Sequence, residues 1–207
     1  MCKFTRNVLI ALTALAGLGL ASCNQEAEEE MISYDSIESL SFTDGTYDVD
    51  VSITYYFSNE DIGDYENTLI SEGPFTLSEG KYVFVTTSEK YKFSNKTVYD
   101  NYVEDMEEEE KASCTLDEEN LTITMPVDNS DSDSQSGTLS ELFAKFNSED
   151  IVQEKQKILF SDKLIQQSKD GSVIITSIRM KQYALSSSSN EWYLRNDAKS
   201  TYKFTKK

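Results

Sequence analysis

Tyr47-Asp48-Val49-Asp50-Val51-Ser52-Ile53-Thr54-Tyr55-Tyr56-Phe57 is the stretch that decides the fold. Tyr47, Val49, Val51, Ile53, Tyr55 and Phe57 alternate with Asp48, Asp50, Ser52 and Thr54. Successive side chains of a strand point to opposite faces, so this period of two makes a strand with one apolar and one wet face.

The β signal continues outward from this stretch. Residues 58–80 are polar and carry Ile62-Gly63, Gly73-Pro74 and Glu79-Gly80; they read as a loop with a short strand over 75–77. Residues 81–87, 90–93 and 97–103 are strand-like, with a break at Ser94-Asn95. The run Glu104-Asp105-Met106-Glu107-Glu108-Glu109-Glu110 repels itself and reads as an exposed loop. Residues 113–116 and 121–125 read as paired strands turning at 117–120, and the Ser/Asp/Asn-rich residues 128–137 as a loop. Thr138-Leu139-Ser140-Glu141 fits a capping box. Leu139, Leu142, Phe143 and Phe146 follow at helical spacing, which predicts a helix over 139–146. Strands are then expected over 157–160 and 163–167, and over 172–185 after an Asp170-Gly171 hairpin turn. Residues 192–195 and 201–205 complete the set. The chain is therefore expected to be mainly β, an antiparallel barrel or alternatively a β-sandwich, with one short helix.

Composition narrows the chemistry. The 207 residues include 12 Tyr and 10 Phe but only 2 Pro and 8 Gly, enough for one domain with an aromatic core. The formal charge of −18 and the lack of a basic patch disfavour nucleic acid as a partner. The absence of histidine excludes Ser-His-Asp and Cys-His hydrolases and histidine-ligated zinc. No glycine-rich phosphate loop or dinucleotide fingerprint is present. Nothing marks two of the 37 acids as a glycosidase pair. Neither an enzyme nor a cofactor is expected. Asn129, Asp131 and Asp133 match the first acidic positions of a calcium loop, but Ser134 and Ser140 stand where glycine and an acid are needed, so no metal site is assigned. Tyr55 and Tyr56, like Trp192 and Tyr193, are consecutive and point to opposite faces of a strand; one of each pair is available to line a pocket or a sugar-stacking platform.

The N-terminus reads as an export signal. Lys3 and Arg6 precede an uncharged, mostly apolar segment over 8–20, too short for a comfortable membrane span. It ends in Leu20-Ala21-Ser22-Cys23, which resembles the lipobox of bacterial lipoproteins. That resemblance implies cleavage before Cys23, lipidation of its thiol, and acylation of the new amine by a chain such as palmitate. Two or more acyl chains hold a protein at a membrane where one does not. Loss of Lys3 and Arg6 with the signal takes the remainder to about −20, a charge that keeps a chain soluble and repels anions. Cys114 is then the one free thiol, and no intramolecular disulfide can form. The following Asn24-Gln25-Glu26-Ala27-Glu28-Glu29-Glu30 resembles the surface-export signals of Bacteroidetes-type lipoproteins, which implies display on the outer face of the outer membrane, with its periplasmic face as the alternative. Asp35-Ser36-Ile37 resembles the short O-glycosylation motif of exported proteins in that phylum. The expected organisation is a signal peptide over 1–22, an acidic flexible tether over 23–40 and one β-rich domain over 41–207.

Gly45-Thr46-Tyr47, the Asp170-Gly171 hairpin and the closing Thr201-Tyr202-Lys203-Phe204 make the body similar to lipocalin-like lipoproteins of Bacteroidetes, although Thr46-Tyr47 stand where that group commonly has tryptophan. The resemblance implies a barrel whose mouth holds a small apolar ligand. The expected function is that of a lipid-anchored, non-enzymatic cell-envelope protein binding such a ligand. The alternative is a surface interaction module or accessory subunit that binds another protein or a glycan. A barrel filled by Tyr and Phe leaves no room for a ligand, whereas small lining residues leave a cavity.

Overall fold

The strand expected over 47–57 is β2, Gly45–Asn59, and it stands in the middle of a single antiparallel sheet. The computed structural model describes residues 30–127 and 134–207. On one side β2 pairs with β12 (Trp192–Lys206), followed by β11 (Val173–Leu185), β10 (Gln156–Ser168) and the short edge strand β1 (Met31–Ser33). On the other side it pairs with β3 (Gly63–Ser78), followed by β5 (Ser88–Phe93), β7 (Thr122–Met125) and β6 (Thr115–Asp117). β4 (Lys81–Val85) links the end of β3 to β8 (Ser134–Thr138), and β9 (Ile151–Val152) adds to β10. The chain is mainly β, and the two ends of the sheet do not pair, so it is not closed into a barrel.

Residues 63–78, expected mostly as loop, form one 16-residue strand. Their register with β2 runs unbroken from Gly45 opposite Leu77 to Asn59 opposite Gly63. The segment looked like a loop because its upper half is wetted and carries polar residues, and because Gly73-Pro74 reads as a breaker. In the fold those two residues mark a fork. β5 pairs with β3 over 67–72 and β4 pairs with it over 75–78. Proline supplies no N–H to a ladder and suits the point where a partner is exchanged.

The helices also differ from expectation. Residues 97–103, expected as strand, lie in α1, Lys96–Asp105. Asn95 caps it, its side-chain oxygen accepting from the N–H groups of Thr97 and Val98 at 2.9 and 3.3 Å. Tyr99 is thereby buried against Phe93 and Ile123, which outweighs the β preference of Val98, Tyr99 and Val103. The acidic run is not simply a loop, because Glu108–Ser113 is α2, opened by a capping box between Glu107 and Glu110. Glu108 to Glu110 occupy its first turn, where the helix dipole favours negative charge. The capping box at Thr138 and Glu141 forms as expected and starts α3, Leu139–Leu142, which passes into a 3-10 turn at Ala144–Asn147. Residues 134–137, expected as loop, pair with β4 as part of β8.

β10 and β12 were each expected as two strands and are each one. β10 survives its polar middle through a bulge between Ser161 and Leu164, where Asp162 has φ 50°. β12 shifts register opposite Gln182 and Tyr183. The tether expected over 23–40 does not reach Leu40: Met31–Ser33 pair with β10, Ile37–Ser39 form a 3-10 turn, and Leu40 is buried in the core. Among the described residues no helix is long and apolar enough to cross a membrane.

The predicted alternation of β2 sets the core. Tyr47 and Val49 are buried, as are Phe75 and Leu77 of β3, Ile174 and Ile178 of β11, and Phe204 of β12. Phe204 is fully enclosed; the rings of Phe42 and Phe75 meet it edge-on, each at 5.2 Å between centroids. Phe143, at the C-cap of α3, and Phe146, in the 3-10 turn after it, cover this end. A smaller second cluster joins Phe93, Tyr99 and Ile123 beneath α1.

Candidate functional site

The apolar face of β2 outlasts the core. Cross-strand register places its residues in rows with those of neighbouring strands. The lowest row joins Phe204 to Val49 and is buried. The next runs across four strands as Tyr202, Val51, Ser71 and Glu89. The third is Ser200, Ile53, Leu69 and Tyr91. In the lowest row the side chains are packed by aromatic rings. Above it Val51, Ile53, Leu69 and Ser71 stand between Tyr202 and Ser200 on one side and Glu89 and Tyr91 on the other, and Val51, Ile53 and Leu69 are only half-buried.

The result is a cup above the aromatic core. Val49, Phe75 and Phe204 are its floor, and Val51, Ile53 and Leu69 rise along one wall. Tyr82 and Phe84 of β4, with Leu142 of α3, close the other side. The cavity volume is about 240 Å³. That exceeds the ~150 Å³ apolar cavity that accepts benzene and lies just below the ~300 Å³ at which drug-sized pockets begin. Among the described residues, Ser71, Glu89 and Gln135 interrupt the lining, beside the phenols of Tyr82 and Tyr202. The Ser71 hydroxyl donates to Glu89 Oε1 at 3.3 Å. Burial pushes the Tyr202 phenol up, with Tyr82 adding to it, so Tyr202 presents a neutral hydroxyl at neutral pH.

The opposite face of the same strands carries a second, wetter groove of about 490 Å³. Here the Arg179 guanidinium lies 4.1 Å over the ring of Tyr56 and holds Asp197 through two hydrogen bonds of 2.7 and 2.9 Å. Lys181 approaches Asp197 at 3.5 Å. Burial alone would raise the Asp197 carboxyl, but Arg179 and Lys181 outweigh it and hold the group below the usual carboxylate range. Burial, and then Glu66, push the Tyr56 phenol up. At the rim Phe57 stacks on Tyr65 at 4.9 Å, and Phe57 is 42% exposed.

The residues singled out in the sequence are scattered. Tyr55 and Tyr56 do face opposite sides, and Tyr56 is the one beneath Arg179. Trp192 is covered by the Lys157 ammonium at 4.0 Å, while Tyr193 is exposed. Cys114 is free and half-buried beside the second cluster. Ser36 caps the 3-10 turn and hydrogen-bonds Glu38. Cys23, Asn129, Asp131 and Asp133 lie outside the described residues. Among the described residues no three His, Cys, Asp or Glu side chains converge on a metal-sized site. Sequence reasoning missed Ser71, Glu89 and Gln135, because each fell in a segment expected as loop or between strands. The registers of β3 against β2, β5 against β3 and β8 against β4 bring them to the cup. No protein-family model and no curated protein matches the chain.

Proposed function

We propose that this is a non-enzymatic cell-envelope protein, held at the outer membrane through lipid on Cys23, whose cup binds a small apolar ligand. The observation that carries the ligand reading is the change in lining between adjacent rows. Aromatic rings pack the floor at Phe75 and Phe204, and then Val51, Ile53 and Ser71 leave space where a larger side chain would have filled it. A soluble domain gains by filling apolar space, since each buried methylene contributes ~0.8 kcal/mol. A retained apolar cavity open to solvent is the usual form of a small-molecule site. The anchor reading rests on Leu20-Ala21-Ser22-Cys23 and the acidic residues after it.

Two experiments test these claims. Protein purified gently from its own membranes is extracted with solvent, and small molecules are identified by mass spectrometry against an unrelated lipoprotein. A specific compound near one per chain, absent from a cup-filling Val51→Trp variant, is the expected result; equal recovery from both proteins refutes the cup as its site. Lipid labelling tests the anchor, and Cys23→Ala should abolish the label and release or stall the protein.

A second reading, a surface module that binds a glycan or another protein, draws on the outer groove. There the exposed Phe57–Tyr65 stack stands beside the Arg179–Asp197 pair, an aromatic platform with charged hydrogen-bonding groups at its edge. Retention of the protein on a glycan array, lost in Phe57→Ala, would favour it.

A further inference from the structure

We infer that the ligand of the cup is a small primary amine, with a compact apolar body and a protonated head that meets Glu89. This deepens the proposed ligand reading and rests on it. Glu89 lies opposite Ser71 in the β3–β5 ladder, in the row that also holds Val51 and Tyr202, one row above the buried floor. Among the described residues it is the one carboxylate lining the cavity. Among the described residues no Lys or Arg forms an ion pair with it; the nearby Lys90 pairs with Glu72 instead. Its described side-chain partner is the Ser71 hydroxyl, at 3.3 Å.

That arrangement selects by charge. A carboxylate beside an apolar wall attracts a cation more strongly than one in open water, because the effective dielectric is lower. An ammonium has three donors, and Glu89, the Ser71 hydroxyl and the Gln135 amide oxygen are acceptors around the same cavity. A ligand carboxylate would face like charge there. A neutral alcohol would keep hydrogen bonds but lose the charge-assisted share. Size sets a second limit. Scaling from the ~150 Å³ cavity that holds benzene, the cup takes about ten non-hydrogen atoms, so a diacyl lipid is too large. The strong negative charge of the chain also favours the approach of cations.

Three matched probes test this on the full chain in phosphatidylcholine nanodiscs, by titration calorimetry with empty nanodiscs as background. They are 3-phenylpropylamine, 3-phenylpropanol and 3-phenylpropanoate. The amine should bind about tenfold more tightly than the alcohol, the scale of one charge-assisted hydrogen bond, and the carboxylate should not bind detectably. Glu89→Gln keeps an oxygen acceptor for Ser71 and should bring the amine to the affinity of the alcohol, leaving the alcohol unchanged. Val51→Trp should abolish both. Equal binding of amine and alcohol to the unaltered protein overturns the amine inference and leaves the cup reading standing. An amine preference that survives in Glu89→Gln or in Val51→Trp overturns the inference too, since it places the amine on the acidic surface. Failure of all three probes overturns the cup reading and the inference together.

Discussion

Gly73 lies against the backbone of Val85 so closely that a Cβ on Gly73 would stand 1.9 Å from the Val85 carbonyl oxygen. This contact holds the fork of the sheet. Just past it the Thr87 N–H donates to the Glu72 carbonyl at 2.8 Å, so the chain leaving β4 is tied back onto β3 before β5 begins. The obstacle is a backbone atom, and neither strand can move without breaking its ladder. Gly73→Ala should therefore destabilise by about 3 kcal/mol, the upper end of overpacking costs. A urea denaturation midpoint unchanged from the unaltered protein would show that the fork is looser than this contact implies. Because Gly73 lies opposite Val49 of the cup floor in the β2–β3 ladder, the same variant should weaken ligand binding.

The Arg179–Asp197 pair is predicted to stabilise the middle of the sheet. Asp197 is 6% exposed, and Arg179 meets it with two parallel hydrogen bonds while covering Tyr56. Removing one member of a buried pair leaves the other uncompensated. Asp197→Ala should cost ~2–3 kcal/mol, less than for a fully buried pair because Arg179 keeps some access to water and a second acid, Asp162, at 3.7 Å. The folded carboxyl titrates below its unfolded value, so its contribution is present above the ordinary carboxylate range and is lost as pH falls through the depressed folded value. Denaturant midpoints of Asp197→Ala and the unaltered protein, compared at neutral and strongly acidic pH, check both statements, and the gap should narrow in acid.

How far these features could be read in advance depended on where the deciding information lay. β2 was legible because Tyr47 to Phe57 alternate and the apolar face is buried at its start, at Tyr47 and Val49. The hairpin at Asp170-Gly171 and the capping box at Thr138 were legible because turn and cap chemistry is local. β3 was not, since Asp64 to Thr68 carry no alternation and its strand state is imposed by β2 and β5. α1 was misread through the β preference of Val98, Tyr99 and Val103, although Asn95 was a local start signal. The cup was least legible of all. Val51, Ser71, Glu89 and Tyr202 meet only through three successive register relationships, none of which is encoded within one segment.

Asp170 offers a local test of the hairpin between β10 and β11. Its carboxylate accepts from the Ser172 N–H at 2.9 Å and from the Ser168 and Ser172 hydroxyls at 2.7 and 2.8 Å. These bonds, led by the Ser172 backbone, hold its carboxyl down at about 2. The turn is therefore favoured at any pH above the unfolded value, and this contribution is lost as pH falls through about 2. Carboxyl carbon chemical shifts followed by NMR should give a midpoint for Asp170 near 2; a midpoint at the ordinary carboxylate value would mean that the three bonds do not persist in solution. Asp170→Asn should lower stability at pH 7 and show a smaller deficit at pH 2.

Residues 31–42 belong to the domain rather than to a tether. Met31–Ser33 add an edge strand to β10, and the Tyr34 N–H continues the contact by donating to the Ile165 carbonyl at 2.8 Å. The Ser41 N–H then donates to the Gln167 side-chain oxygen at 3.0 Å, and the Gln167 amide returns a bond to the Ser41 carbonyl at 3.2 Å. Between these points Leu40 is 9% exposed, and Phe42 stands edge-on to Phe204. Residues 31–42 are thus bound at both ends and pinned in the middle by an apolar side chain. A chain beginning at residue 30 should match the full chain in stability, whereas one beginning at residue 43 should lose several kcal/mol, since the Phe42 and Leu40 contacts are each of the ~2–5 kcal/mol class of core truncations. Leu40→Ala isolates one part of this and should cost ~2–3 kcal/mol, because the leucine sits at the margin of the core. Urea midpoints of the three variants decide it. If the chain beginning at 43 were as stable as the full chain, residues 31–42 would be tether after all, and the aromatic end of the core would have to close on Phe143 and Phe146 alone.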